Sequence, residues 1–198
     1  GMIVGRDTAH LSESEVSRAT VETIAESTAD GVIAPLFYLA LGGVPLALAY
    51  KAINTLDSMV GHRNERYIDL GWASARLDDV VNWIPARVTA GLLILSAALS
   101  AALAARRSYD VTRGWRVLLR DGGHHPSPNS GRPEATMAGL LGIRLGGTNF
   151  YDGVAEERPV LNQEGRAAEP QDIASALRLM VTASCFGVAL AAGWRWFL

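Results

Sequence analysis

Three uncharged stretches, residues 31–50, 88–105 and 179–194, divide this chain. A bilayer core needs about 20 mostly apolar residues in helical form. The second stretch meets that length and the third is marginal. The first (GVIAPLFYLALGGVPLALAY) qualifies only if Pro35, Gly42, Gly43 and Pro45 are tolerated. Helix breakers survive at membrane depth where protein or a water-filled cavity satisfies the freed backbone groups. The first stretch is therefore expected as a broken or re-entrant element beside a polar site, with a buried hairpin turning at Gly42 and Gly43 as its soluble alternative. Ahead of it, Ser12 and Glu15 form a capping box, and Val16, Ala19, Thr20, Thr23 and Ile24 recur at helical spacing, predicting an amphipathic helix. Glu22, Glu26 and Asp30 follow at intervals of four. Glu22, with Arg18 nearby, is expected on a solvated face, whereas Glu26 and Asp30 lie closer to the apolar entry and are the better functional candidates. Residues 1–30 lack a cationic flank followed by an apolar core, so no secretory signal is predicted.

No strand-like alternation of useful length appears, so the pattern predicts an all-α, polytopic, membrane-associated protein of seven or eight helices in a single domain over residues 1–198. Residues 121–153 carry eight glycines with Pro126, Pro128 and Pro133 and must be largely irregular. Within them, Pro133, Glu134 and Gly146 suit the first turn, dipole end and terminus of a short helix over about 133–145. Residues 122–132 then form a loop delivering His125, Ser127 and Asn129 to a helix N-terminus, a natural anion site. His125 suits either a ligand contact or loop ordering. His10 and His62 have weaker claims, and the adjacent His124 and His125 do not form a zinc pair. No G-x-x-x-x-G-K-[ST] motif is present.

Charge sharpens the picture. With 18 basic and 20 acidic residues the chain offers no basic stripe for nucleic acid. One cysteine, Cys185 in an apolar run, excludes a disulfide framework within the chain and is expected to be buried and inert. The ionic groups concentrate in residues 51–87, wedged between the first two uncharged stretches, and charges at a membrane boundary are costly enough to suggest a functional site. Lys51 is the chain's one lysine among seventeen arginines. An amine is a compact point charge that arginine does not replace at a phosphate or catalytic position, although an arginine-rich codon bias would also leave one lysine somewhere. Lys51, Asn54, Thr55 and Ser58 share one helical face, with Asp57 off it. Arg63, Asn64, Glu65 and Arg66 follow, then Arg76 at i, i+3 from Asp79 and Asp78 at i, i+4 from Asn82. A purely structural account makes these ion pairs, with Asn82 capping the helix that carries Pro85. Arginines 106, 107, 113, 116 and 120 place the flank after the second stretch in the cytoplasm by the positive-inside rule. A simple crossing would then put residues 51–87 on the opposite face. Either the second stretch enters without fully crossing or the basic flank misleads.

The blocks RDTAHLSESEV, ESTADGVIAPLFYLALGG, AYKAINTLDSMVGHRNERY, GWASARLDDVVNWIPAR and HPSPNSGRPEATMAGLLGIRLGG resemble the CobD/CbiB family, the membrane-bound adenosylcobinamide-phosphate synthases of cobalamin biosynthesis. The similarity runs through nearly the whole chain, weakening in 101–119 and after about 155. Family members begin with an apolar N-terminal portion that this chain lacks, so it resembles the C-terminal part of the full length. The resemblance implies a multi-pass protein of the cell membrane performing ATP-dependent amide ligation of adenosylcobyric acid to an amino-alcohol phosphate. It implies ATP and Mg2+ as co-substrate and ion, the corrinoid as substrate, lipid and other cobalamin-biosynthesis proteins as partners, and no nucleic acid.

On that reading Lys51, Arg63, Arg66 and Arg76 are candidate phosphate or carboxylate clamps, and Asp57, Glu65, Asp78 and Asp79 candidate bases. Asp57, Asp78 and Asp79 are also the candidate magnesium ligands. Asn54, Asn64 and Asn82 would orient substrate amides, with Asp30 and Arg87 at the edges of the substrate site. Arg120, His125, Ser127, Asn129 and Glu134 would close it from the glycine-rich loop. The competing class is a non-catalytic membrane subunit that binds or transports corrinoids.

Overall fold

The computed structural model describes residues 4–8, 10–60, 68–103, 109–151 and 153–197. Helix α1 (Glu13–Ser27) starts at the predicted capping box, with Ser12 Oγ accepting from Glu15 N and the Glu15 carboxylate accepting from Ser12 N. It runs through a π-helical turn (Thr28–Ile33) into α2 (Ala34–Val60). Then come α3 (Ile68–Leu103), α4 (Val111–Asp121), α5 (Gly131–Leu141), strands β1 (Leu145–Tyr151) and β2 (Val154–Leu161), and α6 (Pro170–Phe197). Among the described residues that makes six α-helices, or seven when the arms of α2 are counted separately.

The helix α2 is not straight. Gly42 (φ −139°, ψ 19°) and Gly43 (φ 68°, ψ −162°) leave helical geometry, and Gly43 uses the left-handed region that its missing Cβ permits. Twelve residues of straight helix would separate Tyr38 from Tyr50 by about 18 Å, yet their rings stack at 5.1 Å. Tyr50 Oη also reaches the backbone oxygen of Asp30 at 3.2 Å. The chain therefore runs out over 34–41, turns at the glycines and returns over 44–60. Among the described residues three helices, Glu13–Met59, Gly71–Leu103 and Pro170–Trp196, are long and apolar enough to cross a membrane, but the first of these folds back on itself as a helical hairpin. Its tip bares Leu41, Val44 and Leu48.

Two local expectations are corrected. The short helix ends at Leu141, where Gly142 (φ 69°) terminates it, and not near residue 145. Gly146 lies in β1 at φ 82°, where a Cβ would come within 2.1 Å of Pro159 O. The fold is mainly helical as expected, with one small hairpin that the pattern did not show: β1 and β2 pair antiparallel, with Tyr151 opposite Val154 and an irregularity between Leu145 and Gly147. This hairpin buries Leu145, Asn149 and Leu161, but the covered side of β1 carries glycine and asparagine between Leu145 and Tyr151, so the sequence lacks the apolar alternation that a covered face usually shows.

The core gathers Val21, Ile24 and Ala25 of α1, Leu93 and Ala97 of α3, Val117 of α4, Met137 and Leu140 of α5, and Leu179 and Ala183 of α6. The uncharged half of α3 is thus covered on one side by head helices, while Leu95, Leu99 and Leu103 stay bare. Cys185 is exposed on α6, between the exposed Val181 and Val188, and not buried. An apolar run beside lipid turns part of its surface outward, so apolar sequence does not imply burial here.

Asn162 closes the head. Fully buried at φ 53°, it donates through Nδ2 to the carbonyls of Ile143 (2.7 Å) and Ala138 (3.1 Å), accepts from Arg113, and donates its backbone N–H to Asp121 Oδ2 at 2.7 Å. Arg120 and that N–H hold the Asp121 carboxyl below its usual range. Since its folded value is depressed, its contribution is present above the unfolded carboxylate value and is lost as pH falls through the folded one. Asp121→Asn should cost about 1–3 kcal/mol at neutral pH, with the gap from the parent closing in acid. Denaturant melts across pH read this directly.

Candidate functional site

Four side chains and one acid form a hydrogen-bonded chain between α2 and α3. On the returning arm of α2, Tyr50, Asn54 and Asp57 share a face at i, i+4 and i+7. Opposite them stand Asp78 and Asn82 of α3. Tyr50 Oη donates to Asn82 Oδ1 (2.9 Å), and Asn82 Nδ2 donates to Asp78 Oδ2 (2.9 Å). From the other side, Lys51 Nζ donates to Asn54 Oδ1 (3.0 Å) and Asn54 Nδ2 reaches Asp78 Oδ1 at 3.4 Å. Every donor therefore points toward Asp78, whose carboxylate accepts from both amides. The direction of each amide is fixed at its charged neighbour: Lys51 can only donate to the Asn54 oxygen, and an ionised Asp78 can only accept from the Asn82 and Asn54 NH2 groups.

This arrangement corrects two expectations. The organised face of α2 is 50–54–57 and not 51–54–55–58: Thr55 and Ser58 are exposed. Asn82 is a buried side chain in mid-α3 and not a cap. Asp57, expected off the working face, is within electrostatic reach of Asp30, as are Asp78, Lys51 and Glu26. Lys51 itself is exposed. An ammonium has three donors, and Asn54 uses one of them.

The glycine-rich loop closes on the same segment. Asn129 Nδ2 donates to Asp79 O at 2.8 Å, which puts the loop beside the acidic pair of residues 51–87. Ser127 Oγ accepts from the backbone N–H groups of Asn129 and Ser130, both at 3.3 Å. His125 Nδ1 accepts from Ser127 N at 3.0 Å, so the loop-ordering role is present. His125 Nε2 is buried without a partner, as are Asn129 Oδ1 and Arg132 Nε. Glu134 Oε1 stands 4.0 Å from His125 Nε2. Burial pushes the Glu134 carboxyl well up and the His125 imidazole down. Burial thus works against charge on both partners of this contact.

The remaining candidates separate. Arg76 stands over the Trp72 ring at 5.9 Å, within reach of Asp79. Arg87 stacks on Trp83 at 3.9 Å and donates to Trp83 O. Arg120 is bound to Asp121 and Glu164 on another face and does not join the site. Arg63, Asn64, Glu65 and Arg66, like His62, lie outside the described residues. Glu22, expected on a solvated face, is buried, accepting from Gly146 N at 2.7 Å and pairing with Arg6 and Arg18. Long-range closure of the β hairpin on α1 buries it. Glu26 stays exposed, 3.5 Å from Ser130 Oγ. Tyr50 is the residue that sequence reasoning missed. Its signal was a hydroxyl four positions before Asn54 at the end of an uncharged run.

Among the described residues no three His, Cys, Asp or Glu side chains converge as a metal cage. Magnesium in phosphate chemistry takes one or two protein carboxylates, with phosphate oxygens and water completing the shell. The acids here, Asp57 and Asp78 within electrostatic reach of Asp30 with Lys51 among them, suit such a partial set.

The family model described as CobD/Cbib protein matches residues 1–180. The chain belongs to the CobD/CbiB family. It is 56% identical over 190 residues to the protein named cobalamin biosynthesis protein CobD of Geobacter metallireducens, covering 96% of this chain and 58% of that one. The like-named protein of Klebsiella pneumoniae is 52% identical over 196 residues, covering 99% and 59%. That of Halalkalibacterium halodurans is 49% identical over 178 residues, covering 90% and 54%. The chain therefore spans a little over half the length of these CobD/CbiB relatives. No solved structure matches it.

Proposed function

We propose that this chain serves cobalamin biosynthesis as the ligand-binding part of an ATP-dependent amide ligase, joining the carboxylate of adenosylcobyric acid to an amino-alcohol phosphate of the aminopropanol phosphate type. The observation that carries this reading is the donor chain converging on Asp78 at the base of the helical hairpin, which holds the chain's one amine beside several carboxylates. A carboxylate and an ammonium ion do not condense unaided. The substrate carboxylate oxygen attacks the γ-phosphorus of ATP and ADP leaves. The amine nitrogen then attacks the acyl carbon, forming the C–N bond, and the acyl C–O bond breaks to release inorganic phosphate. Lys51 steadies the anionic reactants with the N–H groups that Asn54 does not use. Asp57 or Asp30 takes the proton that the ammonium must lose before attack. Asp57, Asp78 or Asp79 would hold a magnesium ion, which would supply charge neutralisation at a phosphoryl group when bound. His125, Ser127, Asn129 and Glu134 close the loop side, and Arg76 and Arg87 sit at the rim.

The test is incubation of the full-length native polypeptide in detergent with adenosylcobyrate, aminopropanol phosphate, ATP and magnesium, followed by mass analysis of the corrinoid. The expected result is the amide product, with ADP and phosphate released only when both organic substrates are present. Corrinoid binding without nucleotide turnover would overturn the ligase and favour a corrinoid-binding or transport subunit.

A further inference from the structure

Helix α4 is covered on one side only. Gly114, Val117, Leu118 and Asp121 face the head and are buried. Gly114 meets Gly139 of α5 so closely that a Cβ on Gly139 would lie 2.7 Å from Gly114 Cα. That contact fixes which side faces away. The outward side carries Trp115 (52% exposed) and Leu119 (65% exposed) along one edge, with the exposed Thr112 and Arg116 beside them. Arg113, Arg116 and Arg120 line a hollow of about 300 Å³ next to that edge. Arg120 is paired with Asp121 and Glu164, and Asp110 lines the same hollow, so the hollow itself is close to neutral; Arg113 is bonded to the uncharged Asn162, which leaves the exposed Arg116 as the cation beside the apolar edge. An apolar edge of aromatic and leucine side chains flanked by arginines is the pattern of a helix lying in the plane of a lipid interface.

Two further observations choose the occupant. The bare ridge Leu95, Leu99 and Leu103 runs to the very end of the apolar helix α3. The eight steps from Leu103 to Val111 reach at most about 28 Å, and α4 packs against α3. The intervening sequence adds Arg106 and Arg107, and anionic headgroups complement such a juxtamembrane cluster.

We propose that α4 is an interfacial anchor, with Trp115 and Leu119 seated among the lipids and Arg116 on anionic phospholipid headgroups. The anchor fixes the head, and through α5 and the Asn129 contact to Asp79 the loop, relative to the bilayer. It rests on the reading of this chain as a membrane protein, and the experiment separates the two.

In the full native polypeptide with Cys185→Ser, and with any cysteine outside these 198 residues also replaced by serine, a nitroxide is attached at Leu119→Cys, or at Val188→Cys on α6 as the control. Each is reconstituted in phosphatidylcholine bilayers with and without phosphatidylglycerol. Collision with oxygen against a water-soluble nickel chelate then reports immersion. The expected result is oxygen-dominated collision at both positions. At position 119 the immersed component should grow with phosphatidylglycerol, and Arg116→Gln should reduce that gain roughly fivefold, as about 1 kcal/mol per surface cation implies. If 188 is immersed while 119 collides with nickel, or is shielded from both reagents by protein, the anchor is overturned and the membrane reading stands. If neither is immersed, both fall. Where Leu119→Cys fails to fold, Trp115→Cys carries the same measurement.

Discussion

Asp78→Asn should lower amide formation by about 10²–10⁴-fold, the range expected for losing a group that fixes a catalytic cation or manages a proton. The substitution is nearly isosteric, yet it replaces one of two acceptor oxygens with an NH2 group. Asn54 and Asn82 each present Nδ2 to Asp78, at 3.4 and 2.9 Å, so one donor would face another. If Asn82 turned its amide to compensate, Tyr50 Oη would have to accept from the NH2 and send its own proton to the Asp30 backbone oxygen at 3.2 Å, giving up its bond to the amide oxygen. Through Asn54 the disturbance reaches Lys51. Product formation by mass analysis, alongside a thermal melt, checks this. A variant that stays folded and keeps full rate would remove Asp78 from the site. Asp79→Asn, whose backbone oxygen and not its carboxylate meets the loop, provides the contrast: the loop contact should survive.

The second large effect is structural. Gly139→Val should separate α4 from α5 and cost about 3 kcal/mol or more, beyond the usual range for overpacking, because the obstacle is backbone. Besides Gly114 Cα, a Cβ at 139 would meet Arg113 O at 2.8 Å and Gly114 N at 3.0 Å, atoms that no rotamer change moves. Gly91, with open space around its Cβ position, is the control: Gly91→Ala should be neutral or slightly stabilising, since alanine is the better helix former. Thermal unfolding in detergent and monodispersity on gel filtration distinguish the two. Loss of the α4–α5 pair also releases the start of α5, so ligation should fall with folding in Gly139→Val and be untouched in Gly91→Ala.

Much of the site was legible because its signal is local. The crowding of Lys51, Asn54, Asp57, Asp78, Asp79 and Asn82 between uncharged runs is visible in one dimension, as are the Asp78–Asn82 pairing at i, i+4 and the break at Gly42 and Gly43. What failed was long-range. Glu22 looks solvated until Gly146, 124 positions later, donates to it. Arg120 looked like a site residue because it precedes the glycine-rich loop, yet Glu164 and Asp121 hold it on another face. The β hairpin went unseen because the covered side of β1 holds Gly147 and Asn149 in place of apolar residues, although the Asp152-Gly153 pair is itself a turn signal.

By itself the sequence determined the helical class, the capping box of α1, the hairpin break and the segment that bears the polar groups. Each follows from spacing, charge or glycine chemistry within a few residues. Only the tertiary structure decided that 38 and 50 stack, that the loop at Asn129 closes on Asp79, and that Tyr50 and Lys51 orient two amides onto one acid. Those outcomes depend on which apolar surfaces meet when the chain collapses, and burial is a property of the assembled surfaces and not of any one stretch of residues.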